Sequence, residues 1–316
     1  MVQSFQAHVE TVQQKTGLTP VLAAGSPILL GPSSRIRLSV GRFRLLPGVA
    51  WTMESEVQNL KLHTGITVPC LVQGESGAPP ILLLHAWAES RRSFDRLVPR
   101  LADFRVYAPD LRGQGDSDKP QDGYSLAEQA GDAAAILDAL GVPTTPVVGS
   151  SSGGYVAQQL AVEHPDRVRA LVLVGAPLTL QGRPPFADAV DSIRDPISED
   201  WVRGFLSSFR LIQEVPPWFL EDRVRDGVKM PAHAWQLSLH GLYSAEPPTE
   251  SGTIGVPTLI LWGAHDGLLP RTDQDTLAAR IEGAQLKIYS EAAHLVLWEC
   301  PEQVAADTRE FLASLA

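Results

Sequence analysis

From residue 56 onward the chain alternates between short, continuous apolar or β-branched runs and segments of helical periodicity, and few architectures accept that order. "VPCLVQG", "ILLLHAW", "RVYAPD", "TPVVGS", "RALVLVGAP", "PTLILWGA" and "AQLKIYSEA" read as strands. Between them, "RRSFDRLVPRLADF" reads as an amphipathic helix with Phe94, Leu97 and Leu101 on one side. "SLAEQAGDAAAILDALG" reads as a helix opened by Ser125 and closed by Gly141, "SGGYVAQQLAVEHP" as another, and "PEQVAADTREFLASL" as the closing helix with Pro301 in its first turn. Strands that are apolar without alternation are buried on both faces. Strand–helix alternation of this kind predicts an α/β fold, a mostly parallel central sheet flanked by helices. At 316 residues and 44% hydrophobic, the chain can fill one such core and carry an insertion.

One segment breaks the rhythm. Residues 179–255 separate two strands by far more than a crossover helix needs, and they are rich in aromatics, with Pro216–Pro217 and Pro247–Pro248 as breaks. The expected arrangement is a helical cap over residues 179–255, inserted after the sixth core strand and dividing the core into residues 56–178 and 256–316. Of its aromatics, Trp201, Phe205, Trp218 and Trp235 are expected to reach a substrate pocket, the others to pack the cap onto the core. Residues 1–55 form an N-terminal extension. Within it "SFQAHVETVQQKTG" reads as a short helix, and "SRIRLSVGRFRLL" alternates as a half-exposed strand would, at a sheet edge or an oligomer contact.

The stretch "VVGSSSGGYVAQQLA" at 147–161 places three serines between glycines at a strand-to-helix bend. A nucleophile on such a bend sits at positive φ, and the residues two before and two after it must be nearly free of side chain. Ser150 has Val148 two before it and Ser152 has Ser150; Ser151 alone has glycine at both places, Gly149 and Gly153. The helix beginning at Ser152 directs free N–H groups and its positive dipole end at that hydroxyl, so the Ser152 backbone is placed to receive an oxyanion. A second donor is expected from the loop after the strand that ends at His85.

A serine hydroxyl needs a base. Of eight histidines, His8 lies in the extension, His233 and His240 in the cap, His63 ahead of the core strands and His164 at an exposed helix end. His85 sits in the candidate oxyanion loop, and His265 adjoins a better candidate. His294 remains, in "YSEAAHLVLWECPEQV", between the last strand and the last helix, and such loops emerge at the same sheet edge as the serine bend. The base needs a carboxylate to fix its tautomer. Asp266 follows "PTLILWG" at that edge, whereas "GAPLTL" after the preceding strand offers none. The order Ser151, Asp266, His294 is that of one fold family.

Together "HAWAES", "DLRGQGDS", "GSSSG" and "WGAHDGLLP" with "AAHLVLWECPEQV" make residues 56–316 resemble the cap-bearing, esterase-like branch of the α/β-hydrolase superfamily. The resemblance implies Ser151 as nucleophile, Asp266 as acid and His294 as base, with oxyanion donors at the backbone of Ser152 and Trp87. Asp110 and Arg112 fall in what resembles a structural loop. The family commonly has His-Gly-x-Pro at the oxyanion loop; here it is His85-Ala86-Trp87-Ala88, so alanine should stiffen the loop and the missing proline loosen it. Trp87 should also wall the pocket.

The expected activity is hydrolysis of a carboxylic ester of a small or medium apolar or aromatic substrate through an acyl-enzyme, with no metal or organic cofactor. A serine at the bend speaks against dehalogenase or epoxide hydrolase chemistry, which uses aspartate there. A lactonase, a C–C bond hydrolase with the same triad, or a ligand-binding receptor on a hydrolase scaffold are the alternatives. The formal charge of −10 speaks against nucleic acid and anionic membranes as partners. The N-terminus lacks a basic stretch followed by an apolar run, so a cytoplasmic location is expected. Cys70 and Cys300 do not form a disulfide framework and read as small buried hydrophobes.

Overall fold

The computed structural model describes residues 55–182 and 184–315. The helix expected over "SFQAHVETVQQKTG" and the strand over "SRIRLSVGRFRLL", with its oligomer contact, lie outside the described residues.

Eight strands form a single sheet in the order β1-β2-β4-β3-β5-β6-β7-β8. They are β1 (Ser55–Lys61), β2 (Thr67–Gln73), β3 (Pro80–Leu84), β4 (Arg105–Pro109), β5 (Thr145–Ser150), β6 (Val168–Val174), β7 (Thr258–Gly263) and β8 (Gln285–Tyr289). β2 runs antiparallel to both β1 and β4, and every other pairing is parallel. The parallel strands are apolar at consecutive positions because their two faces feed separate cores. Leu82 and Leu84 of β3 and Leu171 and Leu173 of β6 enter one cluster, while Ile81, Leu83, Val172 and Val174 enter the other.

The first cluster is closed by helices α1 (Leu126–Leu140) and α2 (Ser152–Glu163). Their ends are set as the sequence indicates. The Ser125 hydroxyl accepts from the Glu128 N–H, the Glu128 carboxylate accepts from the Ser125 N–H, and Gly141 ends α1 in the left-handed region at φ 67°. The second cluster lies under the segment 91–104 and the closing helix at Pro301–Ala313. Segment 91–104 departs from expectation. It is two 3₁₀ turns, Arg91–Phe94 and Val98–Arg100, rather than one amphipathic helix. Pro99 has no N–H to continue a helical ladder. Phe94, Leu97 and Leu101 are buried all the same.

Between β6 and β7 the chain forms helices α3 (Ala187–Asp191), α4 (Glu199–Ser207), α5 (Pro217–Val228), α6 (Ala232–Tyr243) and α7 (Pro248–Ser251). They enclose an apolar cluster of their own, built on Val190, Val202, Met230 and Trp235, that also takes in Ala88 and Tyr124 of the core. After β7 come α8 (Arg271–Arg280), the short α9 (Val296–Glu299) and α10 (Pro301–Ala313). Among the described residues no helix is long and apolar enough to cross a membrane. Cys70 is fully buried and Cys300 only partly so; both are free thiols.

Candidate active site

Because β5, β7 and β8 run parallel, the loops that follow them leave the sheet at one edge. At the end of β5 the chain turns sharply at Ser151, whose φ of 47° and ψ of −120° lie outside the ordinary regions for a residue with a side chain. The turn is locked by a bond from the Ser151 N–H to the Val174 carbonyl at 2.8 Å. Its neighbours must be glycine. A Cβ at Gly149 would stand 2.5 Å from the Gly154 Cα, and one at Gly153 would stand 2.3 Å from the Leu84 carbonyl oxygen.

The loop after β8 brings His294 to this turn, with Nε2 3.0 Å from the Ser151 Oγ. The other ring nitrogen, Nδ1, is 2.8 Å from the Asp266 Oδ2 in the loop after β7. A carboxylate at Nδ1 puts the proton there and leaves Nε2 bare toward the serine. Asp266 is itself held, since its Oδ1 accepts the N–H groups of Leu268 and Leu269 at 2.8 and 2.9 Å. The Asp266 side chain is fully buried and that of His294 nearly so. Three residues 143 and 28 positions apart along the chain are therefore joined by two hydrogen bonds at one sheet edge.

Glu299, which the sequence reading did not single out, steadies the histidine loop. Its carboxylate accepts the Ala293 N–H at 2.8 Å, and also the N–H groups of Ile212 and Gln213, the latter at 2.8 Å. The available signal was a carboxylate in a short apolar helix directly after the candidate base.

Across from Ser151 lies the loop after β3. His85 is fully buried, and its Nδ1 donates to the Ala86 carbonyl at 2.8 Å while its Nε2 accepts the Leu111 N–H at 2.9 Å. Burial pushes its pKa down, so it is a neutral support for the loop. The Trp87 N–H donates to the Ser152 hydroxyl at 2.6 Å. Ser152 is the first residue of α2, where N–H groups lack an acceptor within the helix. Trp87 and Ser152 line the same pocket as Ser151, with the Trp87 N–H engaged by the Ser152 hydroxyl.

Residue 88 departs from the expectation that a missing proline loosens this loop. Ala88 sits at φ 64°, which a proline ring does not allow, and its N–H donates to the buried Gln114 side chain at 2.7 Å. The loop is pinned by a bond that proline cannot make. Asp110 and Arg112 act as scaffold, as expected. Asp110 accepts the N–H groups of Arg91 and Asp116, each at 2.8 Å, and Arg112 makes a two-pronged pair with Asp132 at 2.7 and 2.8 Å.

A pocket of about 110 Å³ opens onto Ser151, Ser152 and His294. Of the aromatics expected to line it, Trp87 and Phe205 do so, joined by Phe186, Phe209 and Trp298. Trp201, Trp218 and Trp235 do not. Trp235 is buried within the cap, donating its indole N–H to the Gly227 carbonyl at 3.0 Å. Trp201 stacks on Phe205 from behind, centroids 5.7 Å apart, and Trp218 packs edge-on against Phe219 at 5.7 Å. Composition alone does not tell which ring of a cap forms the inner layer and which supports it. Trp87 ties the two parts together: its indole N–H donates to the Ser238 hydroxyl of α6 at 2.8 Å, and its ring meets Trp235 and Phe205 edge-on at 5.0 and 5.5 Å.

A family model described as the alpha/beta hydrolase fold matches residues 79–218. The chain is 33% identical over 228 residues to a 2-hydroxymuconate semialdehyde hydrolase from Pseudomonas putida, covering 66% of this chain and 77% of that protein. It is 29% identical to a pimeloyl-[acyl-carrier protein] methyl ester esterase from Neisseria meningitidis, over 73% of this chain and 92% of that one. The solved structure of an enol-lactonase from Burkholderia xenovorans shares the fold, with a TM-score of 0.73 at 22% identity over 81% of this chain and 100% of the other. The chain belongs to the α/β-hydrolase family, and it is a hydrolase.

Proposed function

We propose that the chain is a serine hydrolase that cleaves small, uncharged carboxylic esters through an acyl-enzyme on Ser151. The observation that carries this reading is the continuous hydrogen-bonded series Ser151 Oγ, His294, Asp266 at a strained bend before a helix N-terminus. His294 Nε2 takes the hydroxyl proton as Ser151 Oγ bonds to the ester carbon. Asp266 holds the ring in place and stabilises the imidazolium. The carbonyl oxygen, now negative, moves between the N–H groups of Ser152 and Trp87, where the Ser152 hydroxyl gives up its bond from Trp87. One such donor is typically worth on the order of 2.7–4 kcal/mol of barrier. His294 then protonates the departing alcohol; in deacylation it takes a proton from water as the water oxygen bonds to the acyl carbon, and it returns that proton to Ser151 Oγ as the Oγ–acyl bond breaks and the acid leaves.

The choice of substrate rests on the pocket. Its volume of about 110 Å³ is of the same order as the ~150 Å³ of an engineered cavity that accepts benzene, in keeping with a small substrate such as a short-chain ester. Trp87, Phe186, Phe205, Phe209, Leu239 and Leu242 make the wall apolar, and stripping water from an anion against such a wall is costly. The pimeloyl esterase relative is an ester hydrolase by its description, in keeping with this reading. The semialdehyde hydrolase relative is named for a 2-hydroxymuconate semialdehyde, whose carboxylate makes it an anion that such a wall disfavours.

A panel of p-nitrophenyl acetate, butyrate and a carboxylate-bearing analogue, with wild type and Ser151→Ala, tests this. Rapid release from the neutral short esters, lost in Ser151→Ala, is expected. Equal, slow turnover by both proteins would favour the receptor alternative. A marked preference for the charged analogue would favour the muconate-type substrate.

A further inference from the structure

A serine hydroxyl can accept one hydrogen bond and donate another, and the hydroxyls around the oxyanion loop do both. Ser238 accepts the Trp87 indole N–H at 2.8 Å and donates to the Ala234 carbonyl. Ser90 accepts the Arg92 N–H at 3.2 Å and donates to the Asp226 carboxylate at 2.5 Å. Ser152 only accepts. Its Oγ takes the Trp87 N–H at 2.6 Å, and its own hydrogen meets no acceptor among the described residues.

The place of this hydroxyl gives the spare hydrogen its meaning. Trp87, Ser151 and Ser152 line one pocket, and the rest of its wall is mostly apolar. Ser152 directly follows the nucleophile and opens α2, so its own N–H has no acceptor within the helix. Its Oγ hangs from the same Cα as that N–H and is bonded to the other expected donor, Trp87. The hydroxyl oxygen thus stands at the Trp87 N–H as the negative oxygen of the tetrahedral intermediate must. A buried N–H seldom goes without a partner, and Ser152 supplies one until substrate does.

We propose that the side chain of Ser152 is a third oxyanion donor: its hydroxyl holds the Trp87 N–H in the free protein, releases it to the carbonyl oxygen, and turns its own hydrogen to that same oxygen. As Ser151 Oγ bonds to the carbonyl carbon, the electron pair of the C=O double bond moves onto oxygen and the Ser151 proton passes to His294 Nε2. Ser152 keeps its proton throughout, and only the direction of its O–H changes. That change needs rotation about side-chain single bonds and no movement of the backbone. Hydrogen bonds to an ion are roughly twice as strong as those between neutral groups. The O–H therefore gains more from the oxyanion than from the neutral carbonyl, so it lowers the barrier rather than tightening substrate binding.

This rests on the proposed function in taking Ser151 as the nucleophile, and the test separates the two. Hydrolysis of p-nitrophenyl acetate gives kcat and KM for wild type, Ser152→Ala and Ser152→Thr, with thermal unfolding to show that each is folded. Calorimetry gives the Kd of phenyl trifluoromethyl ketone, a neutral ketone that an activated serine converts to a hemiketal oxyanion whatever its natural substrate. Ser152→Ala should lower kcat about thirtyfold and leave KM within about threefold; the loss falls short of the 10²–10³ typical of one donor, on the order of magnitude, because the change also frees the Trp87 N–H. It should weaken ketone binding by about the factor lost in kcat/KM. Ser152→Thr keeps the hydroxyl and should stay within about threefold of wild type in both measurements. Ser152→Ala at or above the wild-type rate would overturn the proposal, and a gain would mean that the hydroxyl only blocks Trp87. A loss confined to KM, a Ser152→Thr protein as slow as Ser152→Ala, or a wild type that does not bind the ketone would overturn it too. If the ketone result holds but wild type leaves the ester intact, the third donor stands and the esterase reading falls. If Ser151-dependent ester hydrolysis holds and Ser152→Ala leaves it unchanged, the reverse is true.

Discussion

Ala88→Pro installs the residue this family usually carries at the oxyanion loop, and it should be damaging here. Proline fixes φ near −65°, whereas Ala88 stands at φ 64°. The misfit alone costs roughly 3 kcal/mol or more, on the scale of proline at an incompatible position. The substitution also removes the 2.7 Å bond from the Ala88 N–H to Gln114, which is 2% exposed. Leaving that buried amide oxygen unpaired costs about 1–3 kcal/mol. Together these give about 4–6 kcal/mol, which for a chain of 316 residues lowers the melting temperature by about 6–9 °C. Ala88→Gly is the control. It relieves about 1–2 kcal/mol of left-handed strain, but adds about 0.5–1 kcal/mol of unfolded-state entropy and removes a buried methyl worth ~0.8 kcal/mol, so it should be nearly neutral. The assay is calorimetric unfolding beside p-nitrophenyl acetate hydrolysis. An Ala88→Pro protein that melts within a few degrees of wild type and keeps its activity would refute the argument.

Three further outcomes follow from the same geometry. Asp266→Asn keeps the shape but no longer favours a proton on His294 Nδ1, so kcat should fall on the order of 10⁴-fold, as it does when the equivalent carboxylate of a serine protease is changed; steady-state kinetics at neutral pH would show it. Gly153→Ala drives a Cβ to 2.3 Å from the Leu84 carbonyl oxygen, so it should cost at least the ~1–3 kcal/mol of an overpacked site, read by thermal unfolding, and displace Ser151 enough to depress kcat. Burial of Glu89 pushes its pKa up, so the folded state holds that proton more firmly than the unfolded chain. Wild-type stability from this group is therefore full below the unfolded carboxyl value of about 4.3 and is lost as pH rises through the folded value. Glu89→Gln should then gain in melting temperature relative to wild type as pH rises from about 4.5 to 7.5; a constant difference across that range would contradict the burial argument.

The features legible in the sequence are those whose constraint is local. Ser151 could be separated from Ser150 and Ser152 because the bend bars side chains at 149 and 153, and that bar is written in two glycines. The ends of α1 were legible in Ser125, Glu128 and Gly141 for the same reason. β1 was not read, because "SEVQNLK" is mostly exposed at a sheet edge and carries little apolar pattern. Nor was α8, whose "RTDQDTLAAR" turns only Gln274 and Leu277 into the core. The segment 91–104 has the apolar spacing of a helix, and Pro99 outweighs that spacing. The inner pocket was the least legible part. Which of Trp201, Phe205, Trp218 and Trp235 faces a ligand depends on how α4, α5 and α6 cross one another, and no residue records that by itself. Glu89 in a loop and Glu299 at the end of the short helix α9 went unnoticed because a glutamate at such a position reads as solvated until its burial is known.

The account stands on Ser151 being the group that bonds to substrate carbon. Exposure to a fluorophosphonate, digestion and mass-spectrometric sequencing of the peptide spanning residues 147–161 tests this directly. The adduct is expected on Ser151 alone, absent from Ser151→Ala and formed far more slowly by His294→Ala. Label on Ser150 or Ser152, or labelling of Ser151 at an undiminished rate without His294, would contradict it.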